Sequence, residues 1–224
     1  IGSGDITWLE IIDYIAGKGK PVFVAFGASN MAEVDIAMAT VQKKNENVVL
    51  MQCNTNYTAS LENFKYINLN VLKEFARKYP KTVLGLSDHT PGHATVLGAV
   101  SLGARVIEKH FTEDITRSGP DHKFSMDPTS WKDMVNRTRE LELALGSTIK
   151  KIEDNEKETV IIQRRALRAS RELKKGDRLT FDCVEALRPC PEDALPPYEL
   201  EKVLNKTLTQ DVAKGDFLTW KSLN

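Results

Sequence analysis

From residue 1 to about 147, short apolar runs alternate with longer stretches in which apolar side chains recur at helical spacing. The runs 22–26, 48–53, 83–87 and 105–111 have the length and the β-branched or aromatic content of strands buried on both faces. Residues 8–18 carry Leu9, Ile11, Ile12, Tyr14 and Ile15 along one amphipathic helix. Residues 30–42 predict the next, with Asn30 as N-cap and the acid Glu33 three positions on. Residues 68–79 and 93–102 follow as further helices. Strands and helices in this alternation predict βαβ units and a parallel sheet, hence an α/β fold.

Residues 130–145 read as a strong amphipathic helix that Asp127, Thr129 or Ser130 can cap, with Gly146 closing it. The charged run 150–158, KKIEDNEKE, reads as solvated linker and marks a domain boundary. Beyond it the texture changes. Short apolar pieces at 167–169, 184–187 and 208–212 are separated by two similar turn signals, Lys174-Lys175-Gly176-Asp177 and Lys214-Gly215-Asp216. Apolar residues follow both turns, which predicts a small, mostly β module.

Composition narrows the function. Of the 224 residues, 41% are hydrophobic and 28% charged, and the 31 basic and 31 acidic side chains cancel. That balance gives no basic face for nucleic acid and no polybasic membrane patch, so any anion must be held by a local site. No run of about 18 apolar residues is present to span a bilayer. Three cysteines without a CxxC pair fit a reducing cytoplasm, with Cys53 as a core residue. Ile1-Gly2-Ser3-Gly4-Asp5 reads as the end of a strand entering a loop. A domain seldom begins there, so the sequence is expected to be part of a longer chain.

Candidate chemistry lies at the strand ends. Residues 83–86 run into Ser87-Asp88-His89-Thr90, and residues 105–107 into Glu108-Lys109-His110-Phe111. Both strands deliver an imidazole near their C-terminal ends, the rim at which parallel barrels build their sites. Two histidines there can bind one divalent metal and leave positions open for water and substrate. Asp88 and Glu108 flank them as candidates to orient the ligands. His93 opens a helix and reads as structural, whereas His122 stays ambiguous. Weaker candidates are the small residues Gly2 to Gly4, where backbone N–H groups can approach an anion, the polar run Cys53-Asn54-Thr55-Asn56-Tyr57, and the loop Gly119-Pro120-Asp121-His122.

Taken in order, IGSGD, KPVFVAFGAS, QCNTNY, GLSDHT, GARVIEKHFT and GPDHKFSM resemble the synthase domain of the sialic acid synthase family, N-acetylneuraminate synthases and related bacterial nonulosonate synthases. The tail RASRELKKGDRLTFDCVEALRP resembles that family's antifreeze-like (SAF) domain. The resemblance implies a partial (β/α)8 TIM barrel over 1–149, roughly its last half, a linker over 150–160 and a SAF domain over 161–224. It also implies a metal-dependent condensation of phosphoenolpyruvate with N-acetylmannosamine or a related N-acylated sugar, with release of phosphate.

By the same resemblance His89 and His110 would bind Mn2+ or Mg2+, and Asp5 and Glu108 would be acids of the catalytic centre. Ser3, Ser87 and Thr55 would line the phosphoenolpyruvate site, and Tyr57 and Asp121 would hold the sugar. Arg188 would reach the sugar in a partner subunit's barrel, giving a domain-swapped homodimer. IGSGD would end roughly the fourth barrel strand, so the 224 residues alone are expected to lack turnover. Several positions depart from the family pattern: Phe26 stands where a hydroxyl is usual, Gln52 for a histidine, Thr58 for a proline, and Cys190-Pro191-Glu192 follows Arg188-Pro189. Phe26 is therefore expected to alter the anion pocket. On the residues alone two other readings stay open: another metal-dependent barrel aldolase or lyase, and a catalytically defective fragment that binds carbohydrate or mediates dimerisation.

Overall fold

A computed structural model describes residues 1–224, and they divide into two units, Ile1–Gly146 and Ser147–Asn224. The first is built on four parallel strands in the order β1 (Val22–Phe26), β2 (Val48–Cys53), β3 (Val83–Asp88) and β4 (Val106–Lys109). Helix α1 (Leu9–Ala16) precedes them. Helices α2 (Met31–Gln42), α3 (Val71–Lys78) and α4 (Ala94–Ser101) make the crossovers, and α5 (Pro128–Leu145) follows β4.

Strand side chains alternate between two faces, and both faces are apolar along most of the sheet. Val22, Val24, Phe26, Leu50, Leu84 and Leu86 join Ile12, Met38, Leu72 and Phe75 in the helix-side core. Ala25, Val49, Met51 and Cys53, with Val106 beside them, form a second cluster on the opposite face. Each large side chain fully buried in this way contributes roughly 1.5–3 kcal/mol.

Local chemistry sets the element ends. Asn30 caps α2 through its side chain while Glu33 returns to the Asn30 N–H at 2.8 Å, the expected capping box. Asp127 alone caps α5: its carboxylate accepts from Ser130 N–H at 2.7 Å, and Pro128 occupies the first turn. Helix α3 begins at Val71, later than expected, because Asn68 has φ +50° and belongs to the preceding turn. Strand β4 stops at Lys109, short of the expected Phe111, which bridges Met126 instead.

In the second unit, β5 (Ala166–Ala169) pairs antiparallel with β6 (Val184–Leu187) over a core containing Leu167, Leu173, Leu179, Leu195, Leu208 and Leu218. The two turn signals are an internal repeat. Gly176 (φ +91°) and Gly215 (φ +86°) take the left-handed conformation that only glycine adopts without strain. Each is followed by a threonine-capped 3₁₀ turn, Phe181–Cys183 under Thr180 and Trp220–Ser222 under Thr219. The charged run 150–158 is not all open linker: a 3₁₀ turn, Asp154–Glu156, leads into α6 (Lys157–Gln163). The apolar residues Val160, Ile161 and Ile162 just beyond the charges give this segment a helical pattern. A second short helix, α7, spans Leu200–Val203. No helix of the chain is long and apolar enough to cross a membrane.

Gly85 lets β3 lie close to its neighbours. A Cβ there would sit 2.8 Å from Met51 Cγ and 3.0 Å from the Val106 carbonyl oxygen. The Met51 chain can move but the β4 backbone cannot, so Gly85→Ala is expected to destabilise the chain by about 1–3 kcal/mol. Urea unfolding of the two forms measures this, and an unchanged midpoint would contradict it.

Candidate functional site

Beyond the apolar part of the sheet, the same two-residue alternation presents polar side chains. The register sets Ser87 opposite both Cys53 and Glu108, and Asp88 opposite Lys109. Ser87, His89, Glu108 and His110 therefore share the face of Cys53, whereas Asp88 and Lys109 project to the helix side. Ser87 Oγ donates to Glu108 Oε1 at 2.8 Å, across the two strands.

The two imidazoles meet. Their ring centroids are 5.1 Å apart, with Phe124 packed edge-on against both at 5.9 and 4.9 Å. Tyr57 packs against His89 at 4.3 Å, the rings tilted by 52°, and lies 6.0 Å from His110. His89 Nδ1 is 2.9 Å from the Asn54 carbonyl oxygen. A carbonyl only accepts, so Nδ1 carries a proton and the neutral ring keeps its lone pair on Nε2. His110 Nδ1 faces the Asp121 carboxylate at 3.5 Å.

Burial pulls His89 towards the neutral form, but its contacts with the Cys53 thiol and the Asn54 carbonyl outweigh this, and its pKa lies above the ordinary value. Burial and the neighbouring His89 hold His110 below the ordinary value, against the pull of Asp121 and Glu108. Cys53 is buried, which raises its pKa, yet hydrogen bonds with His89, Ser3 and Ser87 bring it below the usual thiol value.

A close cluster of hydroxyl groups adjoins this pair. Ser3 lies in a 3₁₀ turn, Ser3–Asp5, whose leading residue Ile1 bonds to β1 at Phe23 and Ala25. Ser3 Oγ accepts from Gly27 N–H at 2.8 Å. Thr55 Oγ1 is buried without a hydrogen-bond partner. A Cβ on Gly27 would fall 2.0 Å from Thr55 Oγ1, 2.8 Å from Ser3 Oγ and 3.2 Å from Cys53 Sγ, so only glycine fits at the centre of this group. Asp5, in the same turn as Ser3, is exposed.

The departures from the family pattern fall elsewhere. Phe26 is buried in the helix-side core, edge-on to Phe75, and does not enter the hydroxyl cluster, contrary to the expectation that it alters the anion pocket. Gln52 also lies on the helix side, donating to the Ile67 carbonyl at 2.9 Å. Thr58 takes part in a loop network with Asn56 and Asn63. Asp88 does not orient a histidine from within the site. Its carboxylate is consumed by Lys109, Thr90 and Thr95 on the helix side. His93 caps α4 and faces Asp133. His122 pairs through Nδ1 with Thr112 Oγ1 at 2.8 Å and packs against Gly119, which shapes the Asp121 loop. Arg188, in the second unit, donates from Nε to the Gln163 carbonyl at 2.7 Å.

Lys109, Gly27 and Phe124 were not among the residues singled out for the site, and Cys53, which heads a candidate polar run, was otherwise read as a core residue. Lys109 alone carries a readable signal: a cation at a strand position whose alternation assigns it to the buried face. The donor set fits a divalent cation of the Mn2+ or Mg2+ type only in part. No three side chains of His, Cys, Asp or Glu converge, but two imidazoles do, each with Nδ1 directed to an oxygen acceptor. Such anchoring leaves Nε2 for a metal whose other positions water and substrate fill.

The NeuB family pattern matches residues 1–150, and the SAF domain pattern matches residues 164–224. The chain is 35% identical over 228 residues to the N,N'-diacetyllegionaminic acid synthase of Legionella pneumophila, covering 100% of this chain and 62% of that one. It is 29% identical to the human N-acetylneuraminate-9-phosphate synthase, over 96% of this chain and 59% of that one. Among solved structures, N-acetylneuraminic acid synthetase from Leptospira borgpetersenii superposes with TM-score 0.64 at 29% identity, covering 71% of this chain and 55% of that one. The chain thus spans about three fifths of the length of these curated relatives.

The opposed shifts of the two histidines are measurable. As pH falls, His89 should take up its proton before His110, seen as the order of their ring-proton NMR titrations. The raised His89 value adds stability below the unfolded pKa that is lost as pH rises through the folded value. The lowered His110 value works the other way, removing stability as pH falls through the unfolded value. Titration in the reverse order would contradict the described environment.

Proposed function

The chain belongs to the NeuB family, and from that membership we propose that it is the C-terminal part of a nonulosonic (sialic) acid synthase. In this reading the whole enzyme is a (β/α)8 barrel, and the four parallel strands are the last half of it. Its reaction joins phosphoenolpyruvate to an N-acylated sugar such as N-acetylmannosamine and releases phosphate. The observation that carries the reading is the pair of imidazoles meeting at neighbouring strand ends, 5.1 Å between ring centres.

His89 and His110 would hold Mn2+ or Mg2+, each through the ring nitrogen left free by its Nδ1 contact. The cation, when bound, supplies Lewis-acid polarisation of the sugar's aldehyde oxygen. The remaining work falls to the chain's own groups. Ser3 and Thr55 grip the anionic groups of phosphoenolpyruvate by donating hydroxyl hydrogens, and Ser87 lines the same site with its hydroxyl hydrogen held by Glu108. The partnerless Thr55 hydroxyl supports this, because a buried polar group without a hydrogen bond is rare unless a ligand supplies one.

Tyr57 and Asp121 hold the open-chain sugar beside the histidines. Alignment then lets the methylene carbon of phosphoenolpyruvate attack the aldehyde carbon, whose oxygen becomes a hydroxyl by taking a proton from solvent. Water adds at the resulting cationic carbon, and Glu108, with Asp5 as the second acid, takes its proton. Phosphate leaves by carbon–oxygen cleavage as the ketone forms. Arg188 donates to the sugar's N-acyl oxygen from the partner subunit, which makes the assembly a domain-swapped homodimer working in the cytoplasm. The acceptor itself is left open, since the relatives' names point to different sugar acids.

The test uses the complete enzyme that contains these residues, supplied with phosphoenolpyruvate, Mn2+ and N-acylated hexosamines. Phosphate release coupled to keto-acid formation is expected. His89→Ala or His110→Ala should lower it by about 100-fold or more, because Lewis-acid stabilisation is worth several kcal/mol. Near-normal turnover in either variant, or no turnover with any such sugar, would overturn the reading.

A further inference from the structure

The residues immediately before the two histidines form the most deeply buried ion pair of the chain. Lys109 Nζ lies 2.7 Å from Asp88 Oδ2, and both side chains are 0% exposed. Every polar atom of the pair is used. Lys109 also donates to the Thr90 carbonyl at 2.6 Å, Thr95 Oγ1 donates to Asp88 Oδ2 at 2.6 Å, and Thr90 donates to Asp88 Oδ1 through N–H and Oγ1 at 3.1 and 2.9 Å. The network therefore joins the end of β3, the end of β4 and the first turn of α4.

A buried ion pair is weak evidence for stability, because desolvating two charges offsets most of their attraction. Apolar residues fill the helix side along the rest of these strands, so a charged pair at this one level calls for another explanation. Its position supplies one. Asp88 and Lys109 are directly paired in the parallel register, and in each strand the next residue is the histidine on the opposite face. Fixing the two backbones at this level fixes the two points from which the imidazoles depart.

We propose that Asp88 and Lys109 are positioning residues, whose buried ion pair holds the ends of β3 and β4 in the register that brings His89 and His110 together. Neither touches substrate. They act through the backbone, as an outer support for the two rings. The cation-binding role of the histidines enters only the second of the two measurements below, so the two ideas fail separately.

The test is the full chain carrying Asp88→Asn and Lys109→Met together, which leaves no lone buried charge. Circular dichroism establishes that the variant folds. In the cation-free protein, the nuclear Overhauser contact between the His89 and His110 ring protons should be present in the parent and lost in the variant. Mn2+ affinity, measured by calorimetry, should fall about 10- to 100-fold, as for other outer-shell supports. A purely structural role would lower the melting temperature while the folded fraction kept the ring contact, and that result would overturn the proposal. A parent that binds no Mn2+ would count against the metal reading alone, since the ring contact still decides the positioning role. If the double variant does not fold, Thr95→Val replaces it. That change removes one hydrogen bond to Asp88 Oδ2 with both charges in place, and it should weaken the ring contact; an unchanged contact would overturn the proposal.

Discussion

The buried contact between Asp88 and Lys109 is the interaction on which the organisation of the candidate site turns. It lies where the sheet changes character. Below it, β1 to β4 are mostly apolar on both faces, and burial holds them in place. Around it, the strands end, and the opposite face carries Ser87 and Glu108 just before the pair and His89 and His110 just after it. A polar face cannot be ordered by hydrophobic packing. Here the order comes from the opposite side of the same strand ends, through five hydrogen bonds drawn onto two charges.

Close approach performs the corresponding task on the other side of the site. Gly27, Thr55, Ser3 and Cys53 are brought so near one another that a single methyl group on Gly27 has no room. Three separate pieces of chain, the turn at Ser3, the end of β1 and the end of β2, meet at that point. The outcome is a tight cluster of hydroxyl, thiol and imidazole groups in which the Thr55 hydroxyl lacks a partner. Rigid strand ends with unspent hydrogen-bonding capacity suit the recognition of a small anionic substrate.

Much of this was legible in the sequence because it rests on short-range rules. Val22–Phe26 and Val48–Cys53 are strands with the bounds that their apolar runs suggest, and the Asn30–Glu33 capping box is present. The meeting of the two histidines followed from two strands with like endings. What was not legible depended on which face a residue takes once register is fixed. Asp88 looked like a partner for His89 by adjacency, yet alternation turns it away. Phe26 looked set to alter the anion pocket, yet the same alternation buries its ring against Phe75. Cys53 looked like an inert core residue, because its contact with His89 joins residues 36 positions apart. The charged run 150–158 hid the start of a helix, since its apolar side chains come only beyond the charges.

The central claim is that His89 and His110 act as one cation-binding pair. Electron spin-echo spectroscopy of Mn2+ added to the chain, prepared with and without 15N-histidine, tests it most directly. The account predicts modulation from two directly bound histidine nitrogens, reduced to one by His89→Ala and by His110→Ala. Bound Mn2+ with no histidine modulation, or with modulation undiminished by either substitution, would contradict it.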